Sequence, residues 1–194
     1  MSRPDDSVVE VVARLIDALE PSGIPYAFGG AIALAAWSEP RATADVDVIV
    51  WAESDELERV ITVVGSAGVE LDAEAARAAA SARGMFTGRA GATRVDVFVP
   101  SIPFYEEAAR RRVRTTIADR ATWVHSAEVL AVFKMLFFRP KDLIDVERML
   151  AVRGAAFDGA FVRGALVEML EDDERIAKWD EIHGRAMRIA GARS

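Results

Sequence analysis

Cysteine is absent from all 194 residues, which at once removes disulfides, thiolate metal sites and cysteine nucleophiles from consideration. Lysine is scarce, with three residues against twenty-one arginines, so each lysine marks a place where a compact ammonium replaces the guanidinium fork. Histidine occurs only at His125 and His183, which are isolated from one another and read as structural. No apolar run is long enough to span a bilayer, and residues 1–7 form no apolar signal core, so a cytoplasmic protein with no membrane partner is expected. What is present, 52% hydrophobic and 28% charged residues, can build one sizeable core with a helical extension.

Charge is uneven along the chain. The net value is −7, yet Arg77 to Arg120 holds nine arginines against Asp96, Glu106, Glu107 and Asp119, so that segment is +5 and the remainder −12. Such a lobe either holds a polyanion, a triphosphate or RNA, or is a solvated helix face around Arg110–Arg112. Aromatics that could stack on bases are sparse there, Phe86, Phe104 and Tyr105 among them.

The pattern predicts mixed secondary structure in the first two thirds of the chain. Ser7 with Glu10 forms a capping box for a helix through about Leu19, ended by Pro21-Ser-Gly. A strand at 25–28, a helix at 30–38, a strand at 45–51 and a helix at 54–66 follow, then a short extended piece from Val69. Residues 73–82 are alanine-rich, either a helix or a connection. A hairpin is expected from 84–88 and 92–99 around Gly88-Arg-Ala-Gly91, then short strands near 112–117 and 121–124. Beyond Ser126 helices are expected near 126–138, 140–152, 158–170 and 173–190, broken at Arg139-Pro140, Gly154 and Glu171-Asp-Asp173.

The densest chemistry lies in Tyr26-Ala-Phe-Gly29-Gly30-Ala and Arg41-Ala-Thr43-Ala-Asp45-Val-Asp47-Val-Ile-Val. Asp45 and Asp47, two residues apart on an apolar strand, point to the same face about 6–7 Å from one another. Two carboxylates so placed repel unless a cation lies between them. A hard divalent ion such as magnesium is the simplest candidate, since it takes a few carboxylates and completes its shell with water and phosphate. Gly29-Gly30 allows close backbone approach at a strand–helix turn, where free amide protons favour an anion. Phosphate beside metal suggests a nucleotide. Taken singly, a diglycine is a tight turn and an Asp-x-Asp strand a solvated face; it is their order that carries information.

Phe28-Gly29-Gly30, then Asp45-Val46-Asp47, then an acid on a later strand in Arg94-Val-Asp96-Val-Phe-Val, resembles the nucleotidyltransferase superfamily with the DNA polymerase β-like core. Arg41-x-Thr43-x-Asp45-x-Asp47 with Lys134 and Lys141-Asp142-Leu-Ile-Asp145 is most similar to the branch of AbiEii-type toxins and minimal nucleotidyltransferases. The resemblance covers about residues 20–150. It implies an α+β fold, a mixed β-sheet with flanking helices and a C-terminal helical bundle. The implied division is a core at 1–124 and a helical region at 125–194 forming the other wall of a nucleotide cleft.

The implied activity is transfer of a nucleoside monophosphate from an NTP to a hydroxyl, with magnesium as cofactor, two ions in the usual arrangement. Asp45, Asp47 and Asp96 would hold metal, and Asp96 could also be the base. Asp96 sits among residues that favour a buried sheet, so it needs a partner. Gly29, Gly30, Arg41 and Thr43 would meet the nucleotide, although Arg41 and Thr43 could instead shape the loop before the strand.

Lys134 is the one charge in Val129-Leu-Ala-Val-Phe-Lys-Met-Leu-Phe-Phe138. It is either a triphosphate anchor or a snorkelling side chain. Asp142 and Asp145 either cap a helix or, by the resemblance, orient Lys134 or a metal-bound water. The acceptor could be a tRNA end, a protein hydroxyl or a small molecule such as an aminoglycoside or lincosamide, and the toxin branch adds a possible antitoxin partner. The competing reading is a non-catalytic module of the same fold that binds a nucleotide or a partner.

Overall fold

The structure, a computed structural model, describes residues 7–171 and 173–191. The N-terminal stretch before Ser7 and Asp172 of the expected break lie outside the described residues. Contacts divide the chain into two compact units. One holds the described residues to Ile32 and Arg41–Val124, and the other holds Ala33–Pro40 and the described residues from His125 onward.

The first unit is built on a six-stranded mixed sheet in the order β3-β4-β2-β1-β6-β5, comprising β1 (Tyr26–Phe28), β2 (Asp45–Val50), β3 (Met85–Ala90), β4 (Thr93–Phe98), β5 (Val113–Ile117) and β6 (Arg120–Val124). β1 runs antiparallel to β2 and parallel to β6, and β2 runs parallel to β4. Alternation along β2 buries Val46, Val48 and Val50, and its parallel register puts Val95 and Val97 on the same side. Helices α1 (Val8–Ser22), α3 (Leu57–Ser66) and α4 (Ala73–Arg83) bring Leu15, Leu19, Val60, Val64 and Ala76 to this core. The other side of β2 carries Asp45, Asp47 and the buried Ile49.

The Ser7–Glu10 capping box starts α1, with the Glu10 backbone N–H donating to Ser7 Oγ at 3.3 Å. The helix does not stop at Pro21. It continues to Ser22, whose hydroxyl donates to the Leu19 carbonyl at 2.6 Å, and ends at left-handed Gly23. The alanine-rich segment is a helix, capped by Asp72 accepting from the Ala75 N–H at 2.9 Å and closed by Gly84 with φ 67°.

The expected β3–β4 turn is shifted. β3 runs through Gly88 to Ala90, and the Val69–Leu71 segment lies alongside it, Glu70 bridging antiparallel to Arg89; a Cβ on Gly88 would meet Val69 Cγ1 at 2.5 Å. The turn falls at Gly91, φ 60°, and Ala92. A short helix α5 (Phe104–Arg110) precedes β5, so Arg112 lies beyond the helix face expected around Arg110–Arg112. The β5–β6 hairpin turns on Ala118 and Asp119, φ 50° and 60°, a pair of positive φ values that suits the strand twist.

Helix α2 (Gly30–Leu34) is shorter than the expected 30–38, because the chain tightens into turns after Leu34 and the Trp37 indole N–H donates to the His125 carbonyl at 2.8 Å. The second unit is helical, with α6 (Ala127–Phe137), α7 (Pro140–Arg153), α8 (Gly159–Met169) and α9 (Asp173–Gly191). α6 is its centre, touching each of the other three and burying Val129, Leu130, Val132 and Met135. Ser126 caps α6, and left-handed Phe138 ends it. Gly159 lies against the imidazole of His183, which in turn stacks on Trp179 at 5.3 Å.

Candidate active site

The strand–helix turn after β1 is tied to β2. The Gly29 N–H donates to the Asp47 carbonyl at 2.9 Å, and Gly30, φ 51°, faces the Asp47 side chain so closely that a Cβ would lie 1.8 Å from Oδ2. Only glycine combines that φ with that approach. The two sequence motifs therefore meet in space through Asp47.

Register gathers the acids on one face. Asp47 is the direct partner of Asp96, and Asp45 the partner of Arg94, on adjacent parallel strands. Asp45 is exposed, Asp47 half-buried and Asp96 buried at 8% exposure. The partner Asp96 needs is supplied twice: Thr87 Oγ1 donates to its Oδ1 at 2.6 Å and Arg94 Nε to the same oxygen at 2.9 Å. Among the described residues, nothing is bonded to Asp96 Oδ2. Sequence reasoning missed Arg94 and Thr87. The i, i+2 spacing of Arg94 and Asp96 on a strand was the available signal for the first; Thr87 required the shifted hairpin register.

These donors are hard carboxylate oxygens of the type magnesium prefers. Among the described residues, however, no three acids or histidines are grouped so as to hold a metal ion by themselves. The set fits the commoner magnesium arrangement, one or two carboxylates completed by water and substrate phosphate.

Thr43 closes on its own loop, its hydroxyl donating to the Asp45 carbonyl at 3.0 Å and accepting from the Asp45 N–H at 3.1 Å. Arg41 is half-buried beside it, with Nη1 donating to the Ala42 carbonyl at 3.4 Å.

Lys134 does not snorkel. It is 4% exposed, with Nζ 2.6 Å from Asp145 Oδ2 and 3.6 Å from Asp142 Oδ1. Asp142 also accepts from Arg139 Nε at 2.6 Å and from the Arg139 N–H at 3.2 Å, so it caps α7 while sharing Lys134. Asp142 and Asp145 are both 1% exposed. His125 is buried in the same unit, stacked on Phe133 at 5.2 Å, and burial pushes its imidazolium down to about 3.

The arginines of the basic segment are largely engaged within the protein. Arg77 pairs with Glu58, Arg110 and Arg111 with Glu107, Arg114 with Glu20, and Arg120 with Asp17. The hydrogen bond from Arg120 holds the Asp17 carboxyl below its usual range. Arg112 lies over the rings of Trp123 and Trp51, at 4.6 and 5.8 Å. Three of these pairs draw on acids outside the segment, which is why its local charge of +5 overstates the free positive surface.

No protein-family model and no curated protein sequence matches the chain. Solved structures do. The antibiotic-resistance factor ANT(2'')-Ia in solution is 15% identical, with TM-score 0.57, covering 95% of this chain and 93% of its own. A crystal structure of ANT(2'')-Ia in complex with adenylyl-2''-tobramycin is 14% identical, with TM-score 0.58, over 82% of this chain and 97% of its own. An antigenic nucleotidyltransferase-like protein from Paracoccidioides brasiliensis is 16% identical, with TM-score 0.50, over 88% and 92%. The α+β architecture expected from the motifs is thus the one found, and the chain is similar in fold to nucleotidyltransferases over most of its length.

Proposed function

We propose that the chain is a metal-dependent nucleotidyltransferase that moves a nucleoside monophosphate from an NTP to a hydroxyl of a small molecule. The observation that carries this reading is the junction at Asp47, where the Gly29-Gly30 turn, the Asp45/Asp47 pair and Asp96 meet on one sheet face. Bound magnesium would be held by Asp45 and Asp47, with Asp96 Oδ2 beside them, and would neutralise charge on the triphosphate. Gly29 and Gly30 let the backbone approach the phosphates, and Arg41 and Thr43 border the entrance to β2. Asp96 Oδ2 accepts the acceptor's proton while its oxygen bonds to the α-phosphorus, and pyrophosphate leaves as the α–β bridging bond breaks. Lys134 is held by Asp145 and Asp142, and its burial argues against direct contact with free triphosphate.

A small-molecule acceptor is supported over RNA by two observations. Most of the arginines that would hold a polyanion are already engaged within the protein, and a structural neighbour was solved with adenylyl-2''-tobramycin. Only the residue pattern around Arg41, Thr43 and Lys134 supports the toxin branch and an antitoxin partner. The Arg94–Asp96 pair favours a second reading, a nucleotide-binding module without turnover, because it occupies one oxygen of the third acid.

Incubation with each α-labelled NTP, magnesium and a panel of aminoglycosides, lincosamides and a metabolite extract tests both. Label on a small molecule supports transfer. Nucleotide binding with no labelled product from any NTP favours the module, and label on RNA or protein alone removes the small-molecule acceptor.

A further inference from the structure

We propose that Arg94 is a resident countercharge of the acid face, competing with a divalent cation for Asp96 and so setting how tightly the face binds metal. The inference rests on the same face as the proposed function but concerns a residue to which the motif assigned no role.

Four charged residues form a square on adjacent strands: Asp45 opposite Arg94, and Asp47 opposite Asp96. Arg94 is the one base among three acids, and its Nε is bonded to Asp96 Oδ1 at 2.9 Å. Its side chain is 49% exposed while that of Asp96 is 12% exposed, so the guanidinium can leave toward water without opening the core. Asp96 cannot follow it. Its Oδ1 is also held by Thr87 at 2.6 Å, which keeps the carboxylate in place and leaves Oδ2 as the oxygen free to receive a cation. Burial makes this carboxylate costly without positive charge nearby. Arg94 supplies that charge when metal is absent, and a bound cation supplies it otherwise. Two ligands of like charge contend for one buried acid.

The test is direct titration with Mn2+ alone, followed by electron paramagnetic resonance and calorimetry, using the full chain without nucleotide. A point charge removed at this range changes divalent-ion affinity by about tenfold even at high dielectric. Arg94→Met should therefore bind Mn2+ about tenfold tighter than wild type, and Arg94→Gln should behave alike; Arg94→Lys should stay near wild type. Asp96→Asn placed on Arg94→Met should erase the gain. Equal or weaker Mn2+ binding in both Arg94→Met and Arg94→Gln, including no binding in any form, overturns the proposal, as does a gain that survives Asp96→Asn. These outcomes are independent of turnover: a protein that gains Mn2+ affinity on losing Arg94 but transfers no label from any NTP retains this inference and loses the enzyme reading.

Discussion

Gly30 leaves open the space that the Asp47 carboxylate occupies: a Cβ built on Gly30 would lie 1.8 Å from Asp47 Oδ2, at a backbone φ of 51°. One residue of the turn and one of the acid strand thus fix each other. Replacement of Gly30 by alanine should cost about 1–2 kcal/mol from the left-handed backbone alone, and more as Asp47 is displaced. Nucleotide transfer should fall with it. The control is Gly65→Ala in α3, where nothing lies within 4 Å; it should be neutral or stabilise by about 0.5–1 kcal/mol. Urea denaturation of the two variants checks the contrast, and equal stabilities would contradict it.

Asp45→Asn and Asp47→Asn should each reduce transfer about a hundredfold or more, since a Lewis-acid site contributes several kcal/mol to such chemistry. Neither should unfold the chain, because Asp45 is exposed and Asp47 half-buried, and removing one of two like charges relieves repulsion. Turnover with magnesium and melting temperature, measured side by side, separate the effects. Wild-type turnover in the double variant would remove the acids from the mechanism.

The face of the sheet was legible from local pattern because strand alternation is set by sequence alone: Asp45-Val-Asp47-Val shows which side each residue takes. What Asp96 bonds to was not legible. Its pairing with Thr87 depends on hairpin register, and that register shifted because Gly88 makes room for the adjoining Val69–Leu71 segment rather than a turn. Lys134 shows the same limit in a helix. Its isolation in an apolar run announced something unusual, yet snorkelling and burial share one pattern; only the fold of α7 back onto α6 brings Asp142 and Asp145 to it. The basic segment left two readings open for a related reason, since three of the acids that engage its arginines, Glu58, Glu20 and Asp17, lie elsewhere in the chain.

Lys134→Met should be strongly destabilising, by about 3–5 kcal/mol, because it removes the ammonium shared by two carboxylates that are each 1% exposed. A snorkelling lysine would have tolerated the change. Adding Asp145→Asn should restore much of the loss, since Asp142 retains Arg139 at 2.6 Å. Chemical denaturation of the single and double variants measures the coupling. A loss under about 1 kcal/mol in Lys134→Met would mean that the pair is solvated in solution.

His125 should make stability depend on pH. Burial lowers its imidazolium from 6.5 to about 3, so between those values the unfolded chain binds a proton that the folded chain refuses. Stability from this group therefore rises with pH across that window and is level above it. At pH 5 the penalty is about 2 kcal/mol relative to pH 7.5, from roughly 1.4 kcal/mol per pH unit over the interval below 6.5. Carboxylates titrate in part of the same range, so the informative quantity is a difference. His125→Phe keeps a ring to stack on Phe133, now at 5.2 Å from the imidazole, and removes the proton site. The gap in unfolding free energy between wild type and His125→Phe should widen by about 2 kcal/mol from pH 7.5 to pH 5, in favour of the variant. A gap that stays constant over that range would mean that the imidazole protonates in the folded protein as readily as in the unfolded chain.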